Sequence, residues 1–435
     1  MVDDDGMPGE RGAALGLRAA WLRPAVAASG GVATLLLRVT AADRPGTRTP
    51  VDLAMVLDRS GSMAGGKLDL AKEAVRDVLG RLRPEDRAAV VVFDDEAELV
   101  APLAPVTPRL CALTVLGLRE VEPRGSTALA DGWAAGCDEL SSRERAGRTG
   151  GRRRVRRTLL LTDGQANVGE QRPELLAARA MGLRRHGIGT TTLGLGHGFN
   201  EELLATLAEA GGGNFEFVDN PANLAAFFAR EVRDLLATSA LGATVEIDLP
   251  SRAEADLLNH LPCGRRGDRL TIELGDLPAG AEIDLVLRLR FARSAVGTAR
   301  RATVTLRWED AATGQPGRDG AATPPLATVA DAEVAAAAVD PVAAEAEALL
   351  VAAAEQREAA RLDRAGRYAE SRACVQVARL ALAAAPQTAR TVAVDRALLP
   401  MESAAPYGEQ LRKEAYWDSS RRARGRDREA GPNAA

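Results

Sequence analysis

Between residues 51 and 239 the chain repeats one pattern, a short apolar run followed by an amphipathic stretch. Strands apolar on both sides need cover on both faces, and the intervening helices supply it. The pattern therefore dictates a doubly wound, mostly parallel α/β sheet. Residues 52–57, 88–93, 158–161, 189–195 and 214–218 read as its strands, with 97–103 as an edge strand returning through the Asp94-Asp95 turn. Helical spacing of apolar residues predicts helices over 67–82, 109–118, 128–139, 173–186, 200–209 and 221–236.

Beyond residue 238 the apolar period changes to two, over 244–249, 269–274, 282–291 and 302–308. That is the signature of an antiparallel β-sandwich. Four strands make a thin sandwich, and residues 16–22 and 32–40 alternate in the same way, so they are assigned to complete it. The α/β unit is then an insertion into a β domain. The expected divisions are 12–48 for the N-terminal strands, 49–239 for the α/β domain and 240–312 for the rest of the sandwich. A Gly-, Pro- and Thr-rich linker over 313–339, a helical hairpin over 340–385 and a basic, partly disordered tail over 386–435 follow. Ala365-Gly366-Arg367-Tyr368-Ala369 within the hairpin looks like one tetratricopeptide-type helix pair. A single pair cannot stack alone, so it packs on the β domain or on a second copy, which leaves a homodimer open.

Chemistry gathers where strands end. Asp58-Arg59-Ser60-Gly61-Ser62 follows the first strand directly, at the edge where open α/β sheets hold their ligands. Thr127 opens a helix after Gly125-Ser126, and Asp163 ends a central strand. Asp58, Ser60, Ser62, Thr127 and Asp163 thus bring five oxygen donors from three loops to one edge. An all-oxygen set suits a hard cation such as Mg²⁺ rather than zinc or copper.

This set resembles the metal ion-dependent adhesion site of the von Willebrand factor A family, with no position missing. Met63, Gly66-Lys67-Leu68 and residues 162–167 look like bacterial intracellular members of that family. The resemblance covers residues 51 to about 236. It implies that Ser60, Ser62 and Thr127 bind the ion through their hydroxyls, while Asp58 and Asp163 act largely through water. Mg²⁺ is the implied ion, with Mn²⁺ as an alternative, and the implied partner is a protein presenting Asp or Glu to it. The family also implies a scaffold or adaptor role, sometimes beside AAA-type ATPases, and a closing helix (221–236) that shifts when the metal gains an acidic ligand.

Catalysis is not expected. A Mg²⁺-dependent phosphohydrolase on this sheet would need a second acid two residues after Asp58, where Ser60 stands, and Lys67 opens the next helix instead of holding a phosphoryl group. No GxxxxGK[ST] loop occurs, and His186, His197 and His260 lack carboxylates at ligand spacing. The formal net charge of −4 is too small to imply nucleic acid or a membrane as partner. Eight arginines over 143–157 read as a solvated loop, since no aromatic residue accompanies them for base stacking. The apolar stretch 26–39 is broken by Ser29, Gly30, Gly31 and Arg38 and is too short to span a bilayer. Asp3, Asp4 and Asp5 stand where a secretion signal would be positive, so a cytoplasmic location is expected. Cys111, Cys137, Cys263 and Cys374 are far apart and read as reduced, mostly buried thiols.

Overall fold

The computed structural model describes residues 14–43, 48–141, 153–196, 198–403 and 406–424. Asp3, Asp4 and Asp5, residues 142–152 of the arginine-rich segment, His197 and the chain beyond Arg424 lie outside the described residues.

The chain starts with β1 (Leu15–Trp21), β2 (Ala25–Ala27) and β3 (Gly31–Ala41). The α/β domain follows as β4 (Val51–Asp58), α1 (Lys67–Arg81), β5 (Arg87–Phe93), β6 (Ala97–Pro105), α2 (Pro108–Arg119) and α3 (Leu129–Ser141). It continues with β7 (Val155–Thr162), α4 (Pro173–Arg185), β8 (Ile188–Leu195), α5 (Glu201–Ala210), β9 (Gly212–Val218) and α6 (Leu224–Leu236). The sheet order is β6-β5-β4-β7-β8-β9, and β6 alone runs antiparallel to its neighbour. Every residue of β4 is buried, because helices cover both faces. Leu53, Met55 and Leu57 join a core with residues of α1 and α6, whereas Val56 joins Trp133 and Cys137 of α3. Two glycines let α3 lie this close. A Cβ on Gly132 would stand 2.4 Å from Phe93, and one on Gly136 2.3 Å from Val56.

Next come β10 (Thr238–Asp248), β11 (Glu254–Leu257), β12 (Cys263–Arg266), β13 (Arg269–Pro278), β14 (Glu282–Phe291), β15 (Ala299–Arg300), β16 (Thr303–Asp310), β17 (Pro316–Ala322) and β18 (Leu326–Val329). They form sheets ordered β1-β3-β14-β11, β12-β13-β10-β16-β17 and β15-β18-β2. N-terminal β3 pairs antiparallel with β14, from Gly31↔Phe291 to Thr40↔Glu282, so segments on either side of the α/β domain share a sheet. Leu35, Leu37 and Leu287 from one sheet and Val245, Ile272 and Leu306 from another belong to a single core. Where the α/β domain begins and ends, Thr49 holds the two crossings together. Its N–H donates to Leu236 O at 3.1 Å and its hydroxyl to Thr238 O at 2.7 Å.

The linker expected over 313–339 is instead partly sheet. β17 extends the second sheet beside β16, and a Cβ on Gly317 would sit 2.2 Å from the Trp308 ring. An edge strand bonds on one side only and tolerates Gly, Pro and charge, which is why its sequence looks like a turn. The chain then forms α7 (Pro341–Arg364), α8 (Tyr368–Ala384), α9 (Ala389–Ser403) and α10 (Glu409–Ala423). Helix α7 packs on the first sheet, with Ala343, Ala346 and Leu350 against Leu36 and Val286.

The expected polar tail is corrected in the same way, because α9 and α10 occupy most of it. Helix α10 docks through charge as well as through Ala415 and Tyr416, which join the core on the α3 side of the sheet. Lys413, 1% exposed, lies 3.0 Å from Glu409, 3.7 Å from Glu201 and 4.5 Å from the centre of the Phe199 ring. The cysteines are unpaired, but only Cys137 is buried, where burial pushes its thiol up to about 12; Cys263 is exposed, being on a short edge strand. Among the described residues no helix is long and apolar enough to cross a membrane.

Candidate metal centre

Strand β4 ends on Asp58, which is fully buried. One carboxylate oxygen accepts the Ser60 N–H at 2.7 Å and the other the Thr162 hydroxyl at 2.5 Å. Burial pushes this carboxyl up to about 6, although the Thr162 and Ser60 hydrogen bonds pull the other way. The chain then turns through a short 3₁₀ segment, Gly61–Met63, and two glycines with positive φ, Gly65 and Gly66, lead into α1.

Four segments are knitted together at this edge. Arg59 N–H donates to Phe93 O at 2.8 Å, Arg124 N–H to Arg59 O at 2.8 Å, Gly61 N–H to Gly125 O at 3.2 Å and Ala128 N–H to Asp94 O at 2.7 Å. Gly125 is required here, since at φ 68° a Cβ would stand 2.6 Å from an Asp95 carboxylate oxygen. Thr127, 3% exposed, is held by its N–H to Asn167 Oδ1 at 2.8 Å, and its carbonyl accepts the N–H groups of Asn167 and Val168.

The five anticipated residues come together. The Ser60 and Ser62 hydroxyl oxygens are 3.0 Å apart, and Ser62 donates to Asp163 Oδ1 at 2.6 Å. A Cβ built on Gly164 would stand 3.1 Å from Ser62 Oγ, 3.4 Å from Thr127 Oγ1 and 3.9 Å from Ser60 Oγ. Three hydroxyls from two loops therefore converge on one small space beside Gly164, kept open because that residue has no side chain. Asp58 and Asp163 stand behind it, both buried. Small size, hard oxygen donors and two carboxylates fit a divalent ion of the magnesium type. Among the described residues no group of three or more His, Cys, Asp or Glu side chains is placed to hold a metal ion.

Arg59, inside the motif, turns away from this space. It pairs with Asp94 at 2.9 Å and Glu98 at 2.7 Å, and Arg124 also reaches Asp94 at 2.7 Å. Burial works against the Asp94 carboxyl, but Arg124, the Glu96 N–H and Arg59 together hold it below its ordinary range. A role for Lys67 was missed by sequence reasoning. Its ammonium meets Asp163 Oδ2 at 2.5 Å and Ser62 O at 3.1 Å. Its place at the start of α1, one turn past the serines, was the available signal. The Thr162–Asp58 contact was equally hidden, though Thr162 immediately precedes Asp163 in the sequence.

Comparison with known proteins bears on the fold that carries this site. Residues 52–230 match the family model of the von Willebrand factor type A domain. An uncharacterized protein of Synechocystis sp. is 27% identical over 285 residues, 63% of this chain and 65% of its own length. Human inter-alpha-trypsin inhibitor heavy chain H3 is 31% identical over 220 residues, 48% of this chain and 24% of its own. The chain thus spans less than two thirds of the length of these curated relatives. A solved structure, von Willebrand factor type A from Catenulispora acidiphila, superposes with a TM-score of 0.72 at 17% identity, covering 94% of this chain and 97% of that one. The ArnB paralog VWA2 from Sulfolobus acidocaldarius follows at 0.65 and 14%, covering 96% and 100%. At such identities the likeness speaks for the fold alone, and it takes in the β sheets and C-terminal helices as well as the α/β unit. Residues 52–230 are a von Willebrand factor type A domain, set within a larger fold that two solved structures share along nearly their whole length.

Proposed function

We propose that this protein binds Mg²⁺, or Mn²⁺ in its place, through Ser60, Ser62 and Thr127 with Asp58 and Asp163 behind them, and that it uses the site to hold a protein partner presenting Asp or Glu. The convergence of three hydroxyls on the space beside Gly164 carries this reading. A bound divalent ion supplies a Lewis-acidic position that an incoming carboxylate can occupy. Neutral hydroxyls leave most of the ion's charge uncancelled, and a charge-assisted contact is roughly twice as strong as a neutral hydrogen bond. Asn167 and the loop-to-loop backbone bonds fix Thr127 and the serines before any ligand arrives, which lowers the ordering cost of binding. The β sheets, read as a sandwich, and the helices serve as the scaffold, and the place of work is cytoplasmic.

A hydrolytic use of the same residues is disfavoured. Both Asp58 oxygens are engaged, by Ser60 and Thr162, and the side chain is buried, so it is poorly placed to attack a phosphoryl group. Calorimetric titration of Mg²⁺ into the full chain should give saturable binding that Ser60→Ala plus Ser62→Ala abolishes. Equal binding by the double variant rejects the site. Absence of turnover by Asp58-containing protein on phosphate esters with Mg²⁺ is also expected, and turnover lost on Asp58→Ala would replace binding by hydrolysis.

A further inference from the structure

A second site lies far from the hydroxyls, near the amino-terminal ends of β7 and β9. There α6, the turn between β13 and β14, and the end of α10 enclose a cleft of about 270 Å³. Five carboxylates and four arginines stand on its walls, and the charged groups other than Arg157 have partners within the molecule. Glu216 accepts the Trp417 indole N–H at 2.9 Å and pairs with Arg230 at 3.0 Å. Glu231 accepts from Thr191 at 2.5 Å and Asn214 at 2.9 Å, and Arg424 donates to the carbonyls of Gly212 and Gly213.

Arg157 of β7 is the exception. It lines the cleft, is 6% exposed, and its side chain makes no hydrogen bond or ion pair among the described residues; Nε and Nη1 are closed to solvent without a partner. Burial, and to a smaller degree the nearby Arg157, hold the Arg184 guanidinium below its ordinary range against Glu273 and Asp276. The Arg157 guanidinium lies against Gly189 of β8, where a Cβ would stand 2.6 Å from Nη1. A buried guanidinium is ordinarily paired, because leaving its charge uncompensated away from water is costly. Guanidinium groups in general stay charged in proteins.

We propose that this cleft binds a small oxyanion, a phosphate or a carboxylate, which supplies the counter-charge to Arg157. The volume limits the occupant to a small molecule or the head of one. Bound there, it would touch the α/β domain, the β13–β14 turn and α10 together, and so tie three parts of the molecule to one ligand. This site shares no residue with the hydroxyl site, so either can fail without the other.

The test uses the full chain, with inorganic phosphate and succinate as probes and chloride at matched ionic strength as the control. One of the two probes should give saturable heats in calorimetry and a melting temperature that climbs with its concentration, as for any ligand of the folded state alone. The stronger probe identifies the source of the oxyanion. Arg157→Gln should weaken binding by at least about tenfold, as expected on removing a charged partner. Gly189→Ala, which keeps the charge but displaces the guanidinium, should weaken it as well. The Ser60→Ala, Ser62→Ala variant should bind the anion as wild type does. Phosphate and succinate both indistinguishable from chloride would overturn the proposal, and so would full binding by Arg157→Gln. Should Arg157→Gln fail to fold, hydrogen exchange of wild type decides: phosphate or succinate must protect residues 276–282, and no protection overturns it.

Discussion

Lys67 is the cation that Asp163 meets in this structure, and a divalent ion among the hydroxyls would put a second positive charge beside the same carboxylate. Lys67→Gln removes the rival. Mg²⁺ affinity should then rise about tenfold, the scale of one nearby charge in a partly solvated setting. Calorimetry reads this directly, and an unchanged dissociation constant would show that the lysine does not compete. At Gly136 two effects oppose one another. Alanine improves an exposed helix interior by up to about 1 kcal/mol over glycine. Here its Cβ would stand 2.3 Å from Val56 in a closed core, and overpacking costs about 1–3 kcal/mol. Packing wins, so Gly136→Ala should lower the urea midpoint, by about 1–2 kcal/mol in stability; a more stable variant would mean that α3 shifts freely on the sheet.

Between elements, the contact among α5, α7 and α10 has the clearest pH signature. Glu209 pairs with Arg357, which also donates to Ser420. Burial alone would raise the Glu209 carboxyl, but the charge and hydrogen bonds of Arg357 outweigh it and hold the group below its ordinary 4.5. A carboxyl held low in the folded state adds stability that is fully present above that value and drains away as pH falls through the folded pKa. Wild type should therefore lose stability below about pH 4.5 more steeply than Glu209→Gln. At pH 7 the variant should be less stable by about 3 kcal/mol, since it strands a buried arginine. Urea unfolding at the two pH values checks both, and parallel pH profiles would contradict the sign. Elements of this kind also show where the sequence was legible. α1, α3 and strands β4, β5 and β8 carry long apolar patterns and were read to within a few residues, and the hydroxyl site followed from loops at strand ends. β11 and β12 are only four residues each and have exposed, polar positions, so no period could be seen. α10 was invisible for another reason: it buries Lys413, Ser420 and Arg422, whose partners Glu201, Arg357 and Gln356 lie far away in the chain. Pairings between distant charges leave no local trace.

For the molecule as a whole, those charges make the α/β domain dependent on its neighbours. Glu201, Glu209 and Glu216 are matched by Lys413, Arg357 and Trp417, all from the C-terminal helices. Residues 49–239 produced alone should melt at least about 10 °C below the full chain, given 2–4 °C per kcal/mol for a unit of this size. Equal melting temperatures would show the helices to be mere attachments. The pairing of β3 with β14 bears on how the protein is made. β3 has 11 residues with Leu35, Leu36 and Leu37 at its centre, and Val32 must wait for Arg290. β1 can cover one side of it at once. At about 5–20 residues per second, a nascent polypeptide leaves the other side open throughout synthesis of the intervening domain, an unprotected edge of the kind that recruits other chains. Crowded polysomes are thus where this topology is most vulnerable, and a ribosome-associated holdase is the form of help it needs.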